Sequence, residues 1–371
     1  MRELGVVYTN YFRRFSHDSG LTTLDIPNAD RLSSRLRSVP VVRGGDVARL
    51  DPMQLENLAR FVVCLDEAVV RGRRLSTIWR NALLPTGYAH SLNWIQEGGF
   101  ASSQDGMRCL WPATPIVDLD GDQPTYLLGV TSHFGHFFTD CLDRILSFEH
   151  AGPGSSVRFL IDGAPPTQVA ELLALLGICY TKFNMVVLDP ALDYRVKNLN
   201  VASLGSAKPA ITTTSFRILR DRVLARFPDP RRLGRRIYVG RKLVPQRKVL
   251  NQNELDRSLA AMGFEIFYPE LHPIEEAVGA FHGADIIAFV IGSSKFNLAF
   301  CRPGTKVICI APDGYPEHAP GVATMTRQLC ELFSLVLCFC SCRIINKLQA
   351  INSDIVIEPY ELECALRTIC T

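Results

Sequence analysis

The sequence predicts an α/β protein built as two domains that face each other across a cleft. Three observations carry this expectation. From Tyr126 the chain alternates short buried strands with amphipathic helices, the rhythm of a parallel sheet covered by helices. The same rhythm restarts at Arg235 after a polar break. The 371 residues, 47% hydrophobic and 21% charged, are too apolar for disorder and too long for one simple core. Ligands of such sheets are expected at the carboxyl ends of the strands.

Each element has its own signal. Residues 1 to about 125 read as irregular and mixed, with one helix expected over 51–70, where Asp51 would cap and Pro52 would occupy the first turn. No element is assigned over 71–115. YLLGV (126–130) is a buried strand, SHFG a turn, and HFFTDCLDRILSFEHAG a helix ending at Gly152. Strands are expected at 157–162 and 183–189, with a helix at 166–177 between them. Pro209 to Thr214 form a break, followed by a helix over 215–227 and the Pro-rich PDPRR. The second series has strands at 235–242, 264–270, 285–292 and 306–312, with helices at 251–263 and 273–284. DIVIEPYELECALRTI (354–369) adds a last strand and helix. The domains are therefore 1–208, poorly patterned over 1–120, and 209–371.

Composition excludes several classes. Forty basic against 37 acidic residues leave a formal charge of +3, too small an excess for a general nucleic-acid binder. The basic set is 32 Arg and 8 Lys; Arg suits phosphate and carboxylate, although a GC-rich genome gives the same bias. MRELGVVYTNYFRRF lacks the apolar core of a signal peptide. The apolar runs IIAFVI (286–291) and LFSLVLCFC (332–340) fall short of the ~18 residues that span a bilayer. The expectation is a cytoplasmic protein, at most peripheral at the inner face of a membrane. Twelve cysteines are scattered through apolar runs, and Cys338, Cys340 and Cys342 alternate like one face of a strand. No second pair completes a zinc set, so these read as structural thiols with no metal.

Three constellations could carry chemistry. His136, Asp140 and Arg144 recur at i, i+4 and i+8 along one helix, just after His133. An imidazole and a carboxylate one turn apart make a base with its orienting partner; an ordinary Asp140–Arg144 pair on a helix surface is the plain alternative, and HxxH with Asp invites a metal. Second, Arg235, Arg236, Arg241, Lys242, Arg247 and Lys248 follow a strand and precede a helix capped by Asn251 or Asn253, which suits a diphosphate or is a solvated basic loop. No GxxxxGK[ST] and no GxGxxG accompany them. Third, Glu276 precedes GSSKFNLAFCRPG (292–304), where Gly292, Ser293 and Ser294 lead toward Asn297 as a backbone nest or as a plain capped turn.

Taken in order, these segments resemble the family 61 glycosyltransferases, which include plant xylan-decorating enzymes, extracellular O-GlcNAc transferases and bacterial capsule or lipopolysaccharide proteins. The His-Phe-x-x-Asp-x-x-x-Arg helix is matched by His136, Phe137, Asp140 and Arg144. Tyr-x-x-Arg, a second Arg and Asn-Glu are matched by Tyr238, Arg241, Arg247, Asn253 and Glu254. Gly263, Phe264, Glu276, Ala284 to Ile287, Asn297, Phe300, Pro303 and Gly304 follow in the family's order. Where the family reads Gly-x-His-Gly-Ala, this chain has Phe289, Ile291, Gly292 and Ser293, so the donor-holding His is replaced by Ile291. Ala277 stands for the Gln of Glu-Gln, and Cys309 for an acidic residue.

The resemblance implies a GT-B fold, two Rossmann-like domains with the donor nucleotide mainly on the C-terminal one, and an inverting, metal-independent transfer without a cofactor. It implies Arg241 and Arg247 on the diphosphate, and Glu276, Asn297 and the 292–294 turn near the nucleoside or sugar. Arg144, Asn253 and Glu254 would support these groups. Asp140 would be the base with His136 orienting it, or His136 the base. The partners would be a nucleotide-sugar donor and a glycan acceptor, with a growing bacterial surface polysaccharide the expected acceptor and no nucleic acid. The alternative is a non-catalytic nucleotide- or glycan-binding protein on a degenerate transferase scaffold.

Overall fold

A computed structural model of the chain describes residues 2–6, 18, 23–25, 34–51, 53–55, 61–80, 82–84, 100–102, 108–119, 121–150, 157–178, 184–203, 211–228, 235–241, 247–315, 320–346 and 353–371. The chain divides into two compact units. The first comprises Met1–Leu32 and Glu56–Lys208, the second Ser33–Leu55 and Pro209–Thr371. Residues 33–55, which the sequence assigns to the first domain, thus belong to the second unit. Among the described residues no helix is long and apolar enough to cross a membrane.

The first unit is a mixed sheet. Its parallel part runs Asp193–Ala202, Thr125–Gly129, Arg158–Ile161, Asn184–Val187, side by side in that order. Thr125–Gly129 and Arg158–Ile161 are buried along their whole length, as strands covered on both faces must be. Helices Leu142–His150 and Thr167–Leu175 make the crossovers. The chain steps outward from 125–129 to 184–187, then returns to the other side of its first strand with 193–202. The strand order therefore reverses beside Thr125–Gly129, the place where open α/β sheets bind ligands.

Beyond 193–202 the sheet turns antiparallel, and here the expected helix over 51–70 is corrected. Met53–Leu55 and Phe61–Arg71 are strands, the latter paired along its length with Asp193–Ala202. Val62, Val63, Val69 and Val70 are β-branched and favour the pleated surface, and pairing outweighs the Asp-Pro start signal. Asp193–Ala202 itself carries no clear apolar pattern. Its exposed positions are Arg195, Lys197 and Asn198, while Tyr194, Val196, Leu199 and Val201 are buried.

The second unit has six parallel strands and an antiparallel edge, in the order Glu265–Phe267, Arg236–Val239, Ile286–Val290, Lys306–Pro312, Val336–Ile344, Val39–Arg43, Asp46–Leu50. The last two come from residues 33–55, drawn in by pairing to Val336–Ile344. Arg327 holds this segment, donating to the backbone carbonyls of Arg37 at 2.9 Å and Asp51 at 2.6 Å. Cys338, Cys340 and Cys342 lie in the core that helices Gln252–Ala261 and Pro359–Cys370 complete with Leu255, Leu259, Leu362 and Ile369. Burial pushes the Cys338 and Cys342 thiols up to about 12. Helices Thr213–Arg226, Ile274–Gly283 and Pro320–Leu332 pack against a 3-10 helix, Ser293–Phe300, that follows the strand 286–290. The strand order reverses between Arg236–Val239 and Ile286–Val290.

Asn251 stands at the N-cap of helix Gln252–Ala261, yet its side chain caps nothing there. Its amide donates to the carbonyl of Ile357 at 2.8 Å and accepts from the Ile357 amide at 3.2 Å, pinning the segment before the last helix. Asn251→Ala should lower unfolding free energy by roughly 1–3 kcal/mol, since two buried backbone groups lose partners. Asn251→Asp, a good cap but lacking the amide donor, should fail to restore it. Denaturant titrations of the three proteins check this; full rescue by Asp would return the residue to a capping role.

Candidate functional site

In the second unit the carboxyl ends of the two switch-point strands gather positive charge. Arg241 follows Arg236–Val239 by one residue beyond Gly240, and its guanidinium lies against Gly292, at the end of Ile286–Val290. A Cβ at position 292 would stand 2.5 Å from Arg241 Nη1, so a side chain there would displace the guanidinium from its present place. Arg247 donates from Nη1 to the carbonyl of Ile291 at 2.6 Å, and its Nε has no hydrogen-bond partner. Its backbone is left-handed, φ 57°, a conformation that costs a non-glycine residue and tends to persist at functional sites. Lys295 is 4% exposed; its Nζ donates to the Gly292 carbonyl at 3.3 Å and sits 4.1 Å from the Phe296 ring centroid.

The electrostatics report the crowding. Burial lowers Arg241 to about 10, aided by the Arg247 charge, and Glu270 opposes the shift. Burial also lowers Arg247, with Tyr315 opposing; the Tyr315 hydroxyl is pushed up to about 12 by burial. Lys295 falls to about 7, mainly through burial, with Arg247 adding to the shift and Cys309 opposing it. Among the described residues neither Arg247 nor Lys295 has a carboxylate partner. Asn297 is fully buried and neither of its amide atoms has a hydrogen-bond partner. Buried groups of this kind are costly unless something meets them. The arrangement can hold an anion.

Other expected donor residues are placed differently. Ser293 and Ser294 are half-buried in the first turn of a 3-10 helix, which has no side-chain cap. Gly292, expected in a nest, has extended backbone, φ 173°. Glu276 is exposed and hydrogen-bonds His272 at 2.6 Å, one strand over from Arg241, after Glu265–Phe267. Asn253 is exposed, and Glu254 accepts from Asn251 at 3.4 Å, so neither contacts the cations. Lys242 lies outside the described residues. Arg235, Arg236 and Lys248 serve structure: Arg235 pairs with Asp285 at 2.5 Å, Arg236 donates to the Met262 carbonyl, and the Lys248 amide donates to Asp354.

In the first unit the loop after Thr125–Gly129 is fastened by Asp162, at the end of the neighbouring strand. Its carboxylate accepts from the amides of Thr131 at 2.8 Å and Ser132 at 3.1 Å and from the Ser132 hydroxyl at 2.6 Å. His133 then caps the helix, Nδ1 accepting from the amides of Gly135 and His136. The expected α-helix contains one wider turn, Phe137–Cys141, where the Leu142 amide donates to the Phe137 carbonyl. Such π-turns are frequent at functional sites. His136 Nδ1 lies 3.2 Å from Asp140 Oδ2; the His136 side chain is 21% exposed and Asp140 is 0%. With the proton on Nδ1, the carboxylate orients the ring and Nε2 is the acceptor nitrogen.

The surface-pair reading of Asp140 and Arg144 is corrected: both are fully buried. Arg144 donates to the Leu128 carbonyl at 3.4 Å, while its Nε and Nη2 have no hydrogen-bond partner. Burial lowers its pKa, and the Asp140 charge opposes this most. Among the described residues no group of three or more His, Cys, Asp or Glu is placed to hold a metal.

Two contributors went unassigned in the sequence. Lys295 is the one basic residue between Asp285 and Arg302, a visible signal of a cation buried in an apolar run. Asp162 ends a strand, where a carboxylate can only meet the next loop.

The family model described as glycosyltransferase 61 matches residues 134–308, so this stretch of the chain, with its cationic strand edge and carboxylate-held imidazole, is similar to the family 61 glycosyltransferases. The match runs from the His136 helix through the Arg241, Arg247 and Lys295 cluster. No curated protein matches the chain.

Gly129 has φ +121°, and a Cβ there would stand 2.9 Å from Arg144 Nη1. Gly129→Ala should therefore cost about 1–3 kcal/mol through strain at a positive φ, and more if Arg144 is displaced. Thermal melts and urea titrations read it. An unchanged midpoint would mean that Arg144 does not need this gap.

Proposed function

We propose that the protein transfers a sugar from a nucleotide-sugar donor to a hydroxyl of a glycan, a growing surface polysaccharide being the acceptor class that the family resemblance suggests. The observation that carries the reading is the gathering of Arg241, Arg247 and the orphaned Asn297 at the strand edge of the second unit, inside the matched family span. Transfer breaks the bond between the anomeric carbon and a phosphate oxygen, so negative charge grows on the leaving diphosphate. Fixed cations there stabilise the transition state more than the ground state, the role a divalent ion plays in other transferases. Inversion at the anomeric carbon follows from the resemblance.

Of the two groups that could take the acceptor proton, His136 is the better placed. Asp140 is wholly buried, whereas the His136 ring reaches solvent. In this reading Asp140 holds the Nδ1–H tautomer and stabilises the imidazolium that forms, while Nε2 accepts the hydroxyl proton. Asp162 and the His133 cap fix the turn from which the ring projects.

Two outcomes test the reading. Arg241→Ala and Arg247→Ala should each weaken binding of the nucleoside diphosphate by roughly 1.5–3 kcal/mol, the worth of a charge-assisted hydrogen bond. Lys at either position should rescue only in part, because the planar fork is lost. Calorimetric titration against a panel of nucleoside diphosphates measures this, and unchanged affinity in both variants would sink the assignment. His136→Ala and Asp140→Asn should each lower turnover by about 100-fold or more with donor binding intact. Transfer assays run beside melting curves separate this from unfolding; normal turnover in His136→Ala would remove the base.

A further inference from the structure

We propose that Lys295 is a third cation of the diphosphate site, charged by proton uptake when the anion enters, so that donor binding is proton-linked. This rests on the reading of Arg241 and Arg247 as diphosphate ligands. Three placements carry it. The Lys295 ammonium is almost wholly buried, yet its described polar partner is a single carbonyl, that of Gly292. Arg247 is bonded to the adjoining carbonyl of Ile291, and Arg241 packs on Gly292, so all three cations meet one dipeptide. Asn297, two residues on, has both amide atoms buried and unpartnered. Two carbonyl dipoles do not neutralise the Arg247 and Lys295 cations, and the geometry leaves their balance to an anion.

The groups facing Lys295 are few. Cys309, on the adjacent strand Lys306–Pro312, and Arg247 are the charges that act on it, and Tyr315 stands beside both. The helices packed on Ser293–Phe300 bring Arg220 to the carbonyls of Ala299 and Cys301, His282 to that of Phe300, and Cys330 beside Cys301. These lie toward the other end of the 3-10 helix. The Cys309 thiol is held neutral by burial, so no facing group fixes the Lys295 charge. With its pKa near 7, the amine is about half neutral at pH 7 and mostly neutral at pH 8. A bound diphosphate raises that pKa, so binding draws in a proton, and affinity falls as pH rises above 7.

The sign for stability follows the same linkage. The folded-state pKa lies below that of an unfolded lysine, so the unfolded chain binds more protons between the two values. Stability of the ligand-free protein is therefore lost as pH falls from about 10.5 toward 7, and the loss is complete below 7. Lys295→Met removes the effect: its melting point should exceed that of wild type, by a margin that grows as pH falls through this window.

The deciding experiment is titration of the full chain with inorganic pyrophosphate from pH 6.5 to 9, for wild type, Lys295→Met and Arg247→Ala. The wild-type to Lys295→Met affinity ratio, in which the protonation of pyrophosphate itself cancels, should fall roughly tenfold or more over this range. In two buffers of different ionisation enthalpy, wild type at pH 8 should take up more protons per pyrophosphate than Lys295→Met. A flat ratio, with pyrophosphate still bound and Arg247→Ala still weakened, would overturn the role of Lys295 and leave the diphosphate reading standing. Failure of wild type to bind, or equal binding by Arg247→Ala, would overturn the diphosphate reading itself. An equal melting margin at all pH values would show that Lys295 does not titrate in this range.

Discussion

Positive charge held against backbone carbonyls, rather than against carboxylates, is the constraint around which the second unit is arranged. Taking a cation out of water is expensive, and carbonyl dipoles offset the cost only in part. Arg247 and Lys295 reach the carbonyls of Ile291 and Gly292, with Arg241 beside Gly292, where the chain carries no side chain at 292, a left-handed turn at Arg247, and a 3-10 helix after the strand. Arg is the less costly cation to bury, being weakly hydrated, which fits its place at two of the three positions.

The first unit solves a related problem with the charges exchanged. There the buried centre is the Asp140 carboxylate, with the Arg144 charge beneath it and a titratable ring at the rim. In both units the groups sit after the carboxyl end of a parallel strand beside a reversal of strand order. The cause is topological. Crossovers leave that end in opposite directions on the two sides of the reversal, so backbone groups there are left for a loop, a side chain or a ligand to satisfy.

Much of the α/β rhythm was legible because buried parallel strands read as short apolar runs between amphipathic helices. The strands at 125–129, 158–161, 236–239, 286–290 and 306–312 all announce themselves in this way. What was not legible is non-local. Val39–Arg43 joins Val336–Ile344 across nearly the whole chain, and no local pattern encodes such a partner. Phe61–Arg71 misled, and Asp193–Ala202 was left unassigned, for the same reason: each is a strand because the other is there. Motif spacing singled out His136 and Asp140 in the first unit and Arg241 and Arg247 in the second. It could not show that Asp140 is buried and His136 is not, because a turn of π geometry between them changes which side of the helix faces inward.

Lys295 gives two of the departures from the family pattern, Ile291 and Cys309, a common explanation. The resemblance places an imidazole where Ile291 stands and an acid where Cys309 stands. Ile291 is buried, its amide donating to the Ile310 carbonyl and its own carbonyl accepting from Arg247. Cys309 faces Lys295 and its thiol is neutral. A carboxylate in that place would hold the ammonium charged whether or not a ligand were present, at an effective dielectric where such pairs are strong. A thiol does not. On the proposed reading these two differences are coherent: Lys295 stands four residues beyond Ile291 at the same strand end, and with a thiol at 309 the charge of its amine is set by the anion that enters.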